Sequence, residues 1–382
     1  MQPFVKTIHA RGVLSFAPDS EPLPLTPLNV LIGPNGSGKS NLIEIFELLR
    51  ALPTDLTEVI RDGGGIGEWL WKGEGKRAGA SISAGLQVRG AGDLRYSLGF
   101  ASAARTLEVR HELVEDNDAR YYRFDAGHRA TIVRRIGGKS ERRLFSPDLQ
   151  QSVLLQRRDR DLYPEVAALG RAFARILTFR EWSFGRYVPL RQPQPADLPN
   201  DVLLPDAKNL GLIVNAIEHS DAWPRLNALL SRFLPRFKRL TTLVQGGTIQ
   251  IFLHEDGLRS PVPATRLSDG TIRFIALLAI LLRPSAAPLI CLEEPELGLH
   301  PDAMTLIAKL LVEAAEKTQI VVTTHSDVLV SALGKHAESV VVCDNLAGAS
   351  RFRRLESDKL RFWMDKYQLD EIWRAGELGG NP

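Results

Sequence analysis

Two rhythms of apolar and polar positions divide this chain. Between residues 80 and 135 the two alternate in short runs, Ser81 to Val88, Leu94 to Phe100, Leu107 to Val114 and Tyr121 to Phe124. A period of two predicts antiparallel strands joined by turns. From Leu267 to about residue 343 the pattern becomes helix, strand, helix, strand, with short apolar strands that read as buried. Residues 1–32 predict two strands with a proline-rich connection, Pro18 to Pro27. Residues 51–75, with Pro53, Gly63-Gly64-Gly65 and Gly67, predict a loop. Residues 146–180 take helical spacing, with Val166, Leu169, Phe173, Ile176 and Leu177 on one face. Five prolines within residues 188–206 predict a connector. Helical spacing returns from Leu210 to Phe237, followed by a strand pair, Leu240–Val244 and Thr248–Leu253. There is no internal repeat and no heptad run long enough for a coiled coil.

Composition narrows the class. The 382 residues are 44% hydrophobic and 24% charged, ordinary for a soluble globular protein and enough for two lobes. The longest apolar run, Ile272 to Leu282, is interrupted by Arg273 and stops at Arg283-Pro284. It falls short of the ~20 residues that span a bilayer. Met1 to Ala10 lacks the basic and apolar regions of a signal peptide. Cys291 and Cys343 each sit in a strand-like apolar run and read as buried reduced thiols, not as a disulfide or zinc pair. A cytoplasmic location without membrane contact is the expectation. The net charge of +3 conceals an asymmetry: from Arg120 to Arg180 there are fourteen Lys/Arg against six Asp/Glu. Such a patch attracts nucleic acid through counterion release, and is equally compatible with a solvated surface carrying internal ion pairs.

The chemistry is concentrated in two distant stretches. Gly33-Pro34-Asn35-Gly36-Ser37-Gly38-Lys39-Ser40 reads G-x-x-x-x-G-K-S, between an apolar strand, Leu28 to Ile32, and a helical pattern, Asn41 to Leu49. That is the phosphate-binding P-loop: glycines turn backbone N–H groups toward phosphate oxygens, and the helix N-terminus adds partial positive charge. Lys39 supplies a cation for the β- and γ-phosphates and Ser40 a hydroxyl for Mg²⁺. The nucleotide group therefore runs from Gly33 to Asn41, with ATP and Mg²⁺ as the expected cofactors.

The second stretch begins at Pro288 and runs as a buried strand into Glu293-Glu294-Pro295-Glu296. Carboxylates at a strand tip suit a Walker B element, with Glu293 on the Mg²⁺ side and Glu294 polarising the attacking water. Upstream, Leu267-Ser268-Asp269-Gly270 precedes an apolar helix, where Ser268 and Gly270 make an N-cap and an anion-binding helix end; an ordinary cap reads the same way. Downstream, Gln319 to Thr324 is another apolar strand, ending at His325. A histidine there can reach a γ-phosphate or a nucleophilic water, or serve a structural role.

P-loop, Leu-Ser-x-Gly, strand plus Glu-Glu, then strand plus His is an order that resembles the ATP-binding-cassette ATPases, in particular the RecF and SMC-like branch with a Glu-Glu-Pro-Glu Walker B. The resemblance covers about the first 50 residues and residues 264–330, with Tyr367 to Gly380 similar to the branch's usual tail. It implies an α/β fold: a P-loop head with a mixed central sheet, an antiparallel β subdomain and a helical lobe. The corresponding parts are a nucleotide-binding lobe at 1–145, a helical insertion lobe at 146–265 and the rest of the ATPase core at 266–382. It also implies that Ser268 and Gly270 bind the γ-phosphate held by a second subunit, that Glu294 and Lys39 are catalytic, and that His325 is the switch histidine. A glutamine of the Q-loop, Gln150 or Gln151, would join the metal group, with Gln151 assigned to it beside Ser40 and Glu293. Three positions depart from the pattern: Asp269 replaces a glycine, Glu293 replaces an aspartate, and His300 stands where a dimer-contacting aspartate usually lies. The implied partner is a second copy, packed head to tail around two ATP molecules. Three roles follow: an ATPase acting on DNA in repair or defence against foreign DNA, an ATP-dependent switch for a separate effector protein, and, least supported, a transporter's nucleotide-binding subunit.

Overall fold

The parallel strands all end on one side of the molecule, and that alignment builds the site. The structure, a computed structural model, describes residues 1–73, 79–180, 185–282 and 287–355. The tail from Tyr367 to Gly380 and the pair Arg283-Pro284 lie outside the described residues. Among the described residues, a six-stranded sheet runs in the order Leu177–Phe179, Leu289–Glu293, Gln319–Thr323, Leu28–Ile32, Val340–Leu346, Ala349–Arg354. The first five are mutually parallel and the last is antiparallel.

Alternation along these strands sorts their side chains between two cores. Val30, Ile32, Leu292 and Val322 face the helices Leu210–Glu218, Trp223–Phe233, Asp269–Leu282 and Asp302–Ala315. Leu31, Cys291, Val321 and Cys343 face the helix Lys39–Ala51 and an antiparallel sheet. A strand covered on both faces must be apolar throughout, which is why these segments read as continuous runs. Each fully buried aliphatic side chain contributes about 1.5–3 kcal/mol. Both cysteines are free and buried, as expected.

Among the described residues the antiparallel sheet has eight strands, in the order Leu23–Pro24, Val5–Arg11, Ala80–Val88, Gly92–Ala103, Thr106–Glu115, Arg120–Asp125, Ala130–Ile136, Lys139–Phe145. A smaller sheet pairs Phe237–Gln245 with Thr248–Glu255, the predicted hairpin, flanked by Gln194–Pro195 and Val262–Pro263. No helix among the described residues is long and apolar enough to cross a membrane.

Four local expectations change. Residues 51–75 are not all loop: Leu56–Asp62 is a helix, because Asp55 Oδ1 accepts from the N–H groups of Thr57 (2.9 Å) and Glu58 (3.2 Å). Leu177 lies in a strand, not on a helix face. The helix Pro164–Phe173 stops first, and Leu177–Phe179 then pairs with Ile290–Leu292, a partner remote in sequence. The N-terminal segment holds three strands, with Leu23–Pro24 added. The hairpin Ala130–Phe145 extends the antiparallel sheet past the predicted strands; its outer strand is exposed from Lys139 to Leu144, so no apolar face marks it.

Candidate nucleotide-binding site

In a sheet of parallel strands the ligand crevice lies beyond the C-terminal ends. Here those ends carry the P-loop after Ile32, Glu293 and Glu294, and Thr324-His325. The loop turns into the helix Lys39–Ala51 at Gly38, which takes a φ of 95° and, as glycine, has no side chain to cap the helix start. The first-turn N–H groups are therefore available to an anion. Gly33 is required by crowding: a Cβ there would lie 2.1 Å from the Cys343 carbonyl oxygen. Asn35 and Gly36 form the exposed tip, and Asn345 Nδ2 donates to the Gly36 carbonyl at 3.0 Å. Ser37 Oγ is buried without a hydrogen-bond partner among the described residues. Asn41 Nδ2 donates to Ser15 Oγ at 2.7 Å, which fixes the helix start against the N-terminal lobe.

Lys39 is buried, and its ammonium donates to the carbonyls of Gly33 (2.7 Å) and Pro34 (3.0 Å). Burial lowers its pKa, opposed by the nearby Glu293, Glu294 and Glu296. The hydroxyl of Ser40 donates to Glu293 Oε1, joining residues from opposite ends of the chain. These two hard oxygens suit Mg²⁺, which takes few protein ligands and completes its shell with phosphate and water. Among the described residues no group of three or more His, Cys, Asp or Glu side chains could hold a metal by itself.

Glu294 has a φ of 43°, left-handed and unusual for a residue with a side chain. Its N–H is held by the Thr323 carbonyl (3.0 Å) and Thr323 Oγ1 (3.2 Å), and its carbonyl accepts from Arg273 at 2.6 Å. That kink carries the chain out of the sheet and leaves the Glu294 carboxylate 3.7 Å from His325 Nε2. The His325 pKa is lowered, by burial first and by the Lys39 charge second. The imidazole is thus neutral at neutral pH and able to accept a proton. Glu296 fixes the backbone that carries it, accepting from Thr324 Oγ1 at 2.6 Å and from the His325 backbone N–H at 2.9 Å.

Ser268 Oγ caps the helix Asp269–Leu282 through the Thr271 N–H at 3.1 Å. Gly270 packs so closely that a Cβ would lie 2.8 Å from the Gly298 carbonyl oxygen. Asp269 binds Arg191 at 2.5 Å, and Arg191 also donates to the Leu267 carbonyl, so the connector 188–206 grips this loop.

Gln151 is not brought to the metal group. Its amide is spent on Asp55 Oδ1 (2.9 Å) and the Leu56 N–H (3.1 Å), where it completes the start of the helix Leu56–Asp62. Gln150 is exposed. The strand beside Glu293 ends instead in Arg180, whose Nε donates to Glu293 Oε2 at 3.0 Å. Sequence reasoning missed Arg180 because a helical period was assigned across it. Glu296 was visible in the acidic run but had no partner to suggest its role.

A family model described as "AAA domain, putative AbiEii toxin, Type IV TA system" matches residues 28–331, which include the loop, the Walker B strand and His325. The chain belongs to this family. It is a P-loop ATPase family, so its members are built to bind nucleotide. No curated protein matches in sequence. Among solved structures, an SMC head bound to the C-winged helix domain of ScpA matches at 15% identity with a TM-score of 0.59, covering 94% of this chain and 100% of that chain. An Smc head domain with an extended coiled coil, bound to the C-terminal domain of ScpA derived from Pyrococcus furiosus, matches at 14% identity with a TM-score of 0.58, covering 96% and 99%. At these identities the likeness is one of fold. It is the fold expected from the order of motifs: a mixed α/β head with a parallel-rich sheet and an antiparallel sheet.

Proposed function

We propose that this chain binds ATP with Mg²⁺ and hydrolyses it to ADP and phosphate. The observation that carries the reading is the Ser40–Glu293 contact, with Lys39 and the kinked Glu294 beside it. The P-loop amides and Lys39 would cradle the triphosphate. Ser40 and Glu293 would hold Mg²⁺, which when bound neutralises charge on the phosphates. Glu294 polarises the attacking water, and His325 lies within reach of the same proton. Ser268 and Gly270 would meet the γ-phosphate of a second copy. Leu297 and Val328, exposed apolar residues that follow Glu294 and His325, suit a face covered by that copy.

For the downstream role we favour action on DNA in defence; the toxin-system description of the family supports the defence half. The DNA half rests on the hairpin Ala130–Phe145 and its approach. Arg135 is paired with Glu165, Arg157 lies over the Phe145 ring, and Arg158 donates to the Pro53 carbonyl, so these basic residues are used within the fold. Arg129, Lys139 and Arg142 are exposed and make no ion pair among the described residues, so they are the phosphate-contact candidates. A switch for a separate protein is the second reading. It is favoured by Leu243 and Val244, which are 50% and 57% exposed on the hairpin Phe237–Glu255.

The deciding experiment compares wild type with Glu294→Gln for ATP binding and steady-state hydrolysis. Binding should persist while turnover falls about 100-fold or more, as for loss of a general base. Equal turnover would remove Glu294 from the mechanism.

A further inference from the structure

Ser40, Glu44 and Glu47 stand at i, i+4 and i+7 of the helix Lys39–Ala51, so they share one face. That face looks toward the tip of the strand Leu177–Phe179. Phe179 is in register with Leu292, which places the next residues of the two strands, Arg180 and Glu293, side by side. The guanidinium of Arg180 spreads its nitrogens over three carboxylates. Nε reaches Glu293 Oε2 at 3.0 Å, Nη1 reaches Glu47 Oε2 at 2.8 Å and Nη2 reaches Glu44 Oε1 at 2.9 Å. Thr178 Oγ1 donates to the other oxygen of Glu47 at 3.1 Å. Glu293 is thus held from two sides, by Arg180 on Oε2 and by Ser40 on Oε1.

We propose that Arg180 is a positioning residue for Glu293, fixing the longer side chain so that Oε1 is presented to the metal beside Ser40. The inference rests on the reading of Ser40 and Glu293 as the Mg²⁺ pair. A glutamate has one more rotatable bond than an aspartate, and a second anchor removes that freedom. Arginine suits the task, because its planar fork is always charged and donates only, so it can orient a carboxylate without ligating the metal. It also neutralises a cluster of three carboxylates that would otherwise compete for the cation.

The test measures Mn²⁺ binding to the ATP complex by electron paramagnetic resonance, ATP binding in EDTA by equilibrium dialysis, and thermal unfolding. Arg180→Ala should weaken Mn²⁺ binding about 10- to 100-fold, the usual effect of removing a group that orients a metal ligand. ATP binding in EDTA should be unchanged. Arg180→Lys should recover part of the loss, since an ammonium can serve one carboxylate but not all three. Glu44→Gln, which leaves the Arg180–Glu293 contact in place, should move Mn²⁺ binding much less. Should Arg180→Ala lose its cooperative melt, Arg180→Lys carries the same contrast between Mn²⁺ and metal-free ATP. Wild-type Mn²⁺ affinity in both Arg180 variants, or an equal loss of metal-free ATP binding, would overturn the inference while leaving the ATPase reading intact. Wild-type protein that binds ATP but no Mn²⁺ would overturn both the inference and the Mg²⁺ assignment.

Discussion

The strand tips and the outer hairpin use the same residue types to opposite ends. At the tips, cations are locked by the fold: Arg180 on three glutamates, Lys39 on the carbonyls of its own loop. On the hairpin and its approach, Arg129, Lys139 and Arg142 stand in solvent with no ion pair among the described residues. Partly buried charges interact strongly and are weakly screened, so each must be matched to its position. Exposed charges gain little from fixed partners and stay free for a mobile polyanion. On the proposed reading, the difference separates a preorganised centre from a surface that would meet a polyanion through charge density alone.

Lys39→Ala is the harshest test of that separation. It removes the cation proposed to meet the phosphates while leaving the hairpin untouched. Nucleotide affinity, followed with a fluorescent ATP analogue, should fall beyond detection, a loss of about 100-fold or more for a buried charge-assisted contact. DNA binding without nucleotide should persist. A parallel loss of both would mean that the two regions are not independent.

The reciprocal change is milder. Replacing Arg129, Lys139 and Arg142 together by glutamine should weaken DNA binding and reduce the salt slope of the binding constant by about 2–3, since each phosphate contact contributes about 0.9. ATP hydrolysis without DNA should stay at the wild-type rate. An unchanged slope would move the nucleic-acid surface elsewhere or favour the protein-switch reading.

How much of this was legible depends on how local the cause was. The P-loop, the Walker B strand and the His325 strand could be read because their glycines, apolar runs and terminal polar residues are contiguous. The antiparallel strands up to Asp125 were legible for the same reason. Leu177–Phe179 was not, because three residues cannot display a period and the pairing partner lies beyond Pro288. With that strand hidden, Arg180 could not be placed beside Glu293, and the metal group was completed with Gln151. The outer strand of the hairpin, Lys139–Phe145, was hidden differently: exposed from Lys139 to Leu144, it has no hydrophobic face to alternate.

The smallest effect concerns the backbone at Glu294. Its φ of 43° is set by two hydrogen bonds to Thr323 and one from Arg273, not by the residue itself. A side chain in that conformation costs about 1–2 kcal/mol, a strain that glycine does not carry. Glu294→Ala and Glu294→Gly both delete the carboxylate, so their difference isolates the backbone. Glycine gains freedom in the unfolded chain, which offsets part of the relief, so the glycine variant should be the more stable by about 0.5–1 kcal/mol in urea unfolding. Both should be equally defective in hydrolysis. No residue of the outer hairpin strands has such a φ apart from the turn glycines Gly137 and Gly138, and matched Ala and Gly variants at exposed Lys139 should rank the other way, with alanine the more stable. If alanine were also preferred at position 294, the kink would be an unstrained turn, and strain would no longer distinguish the strand tip from the hairpin.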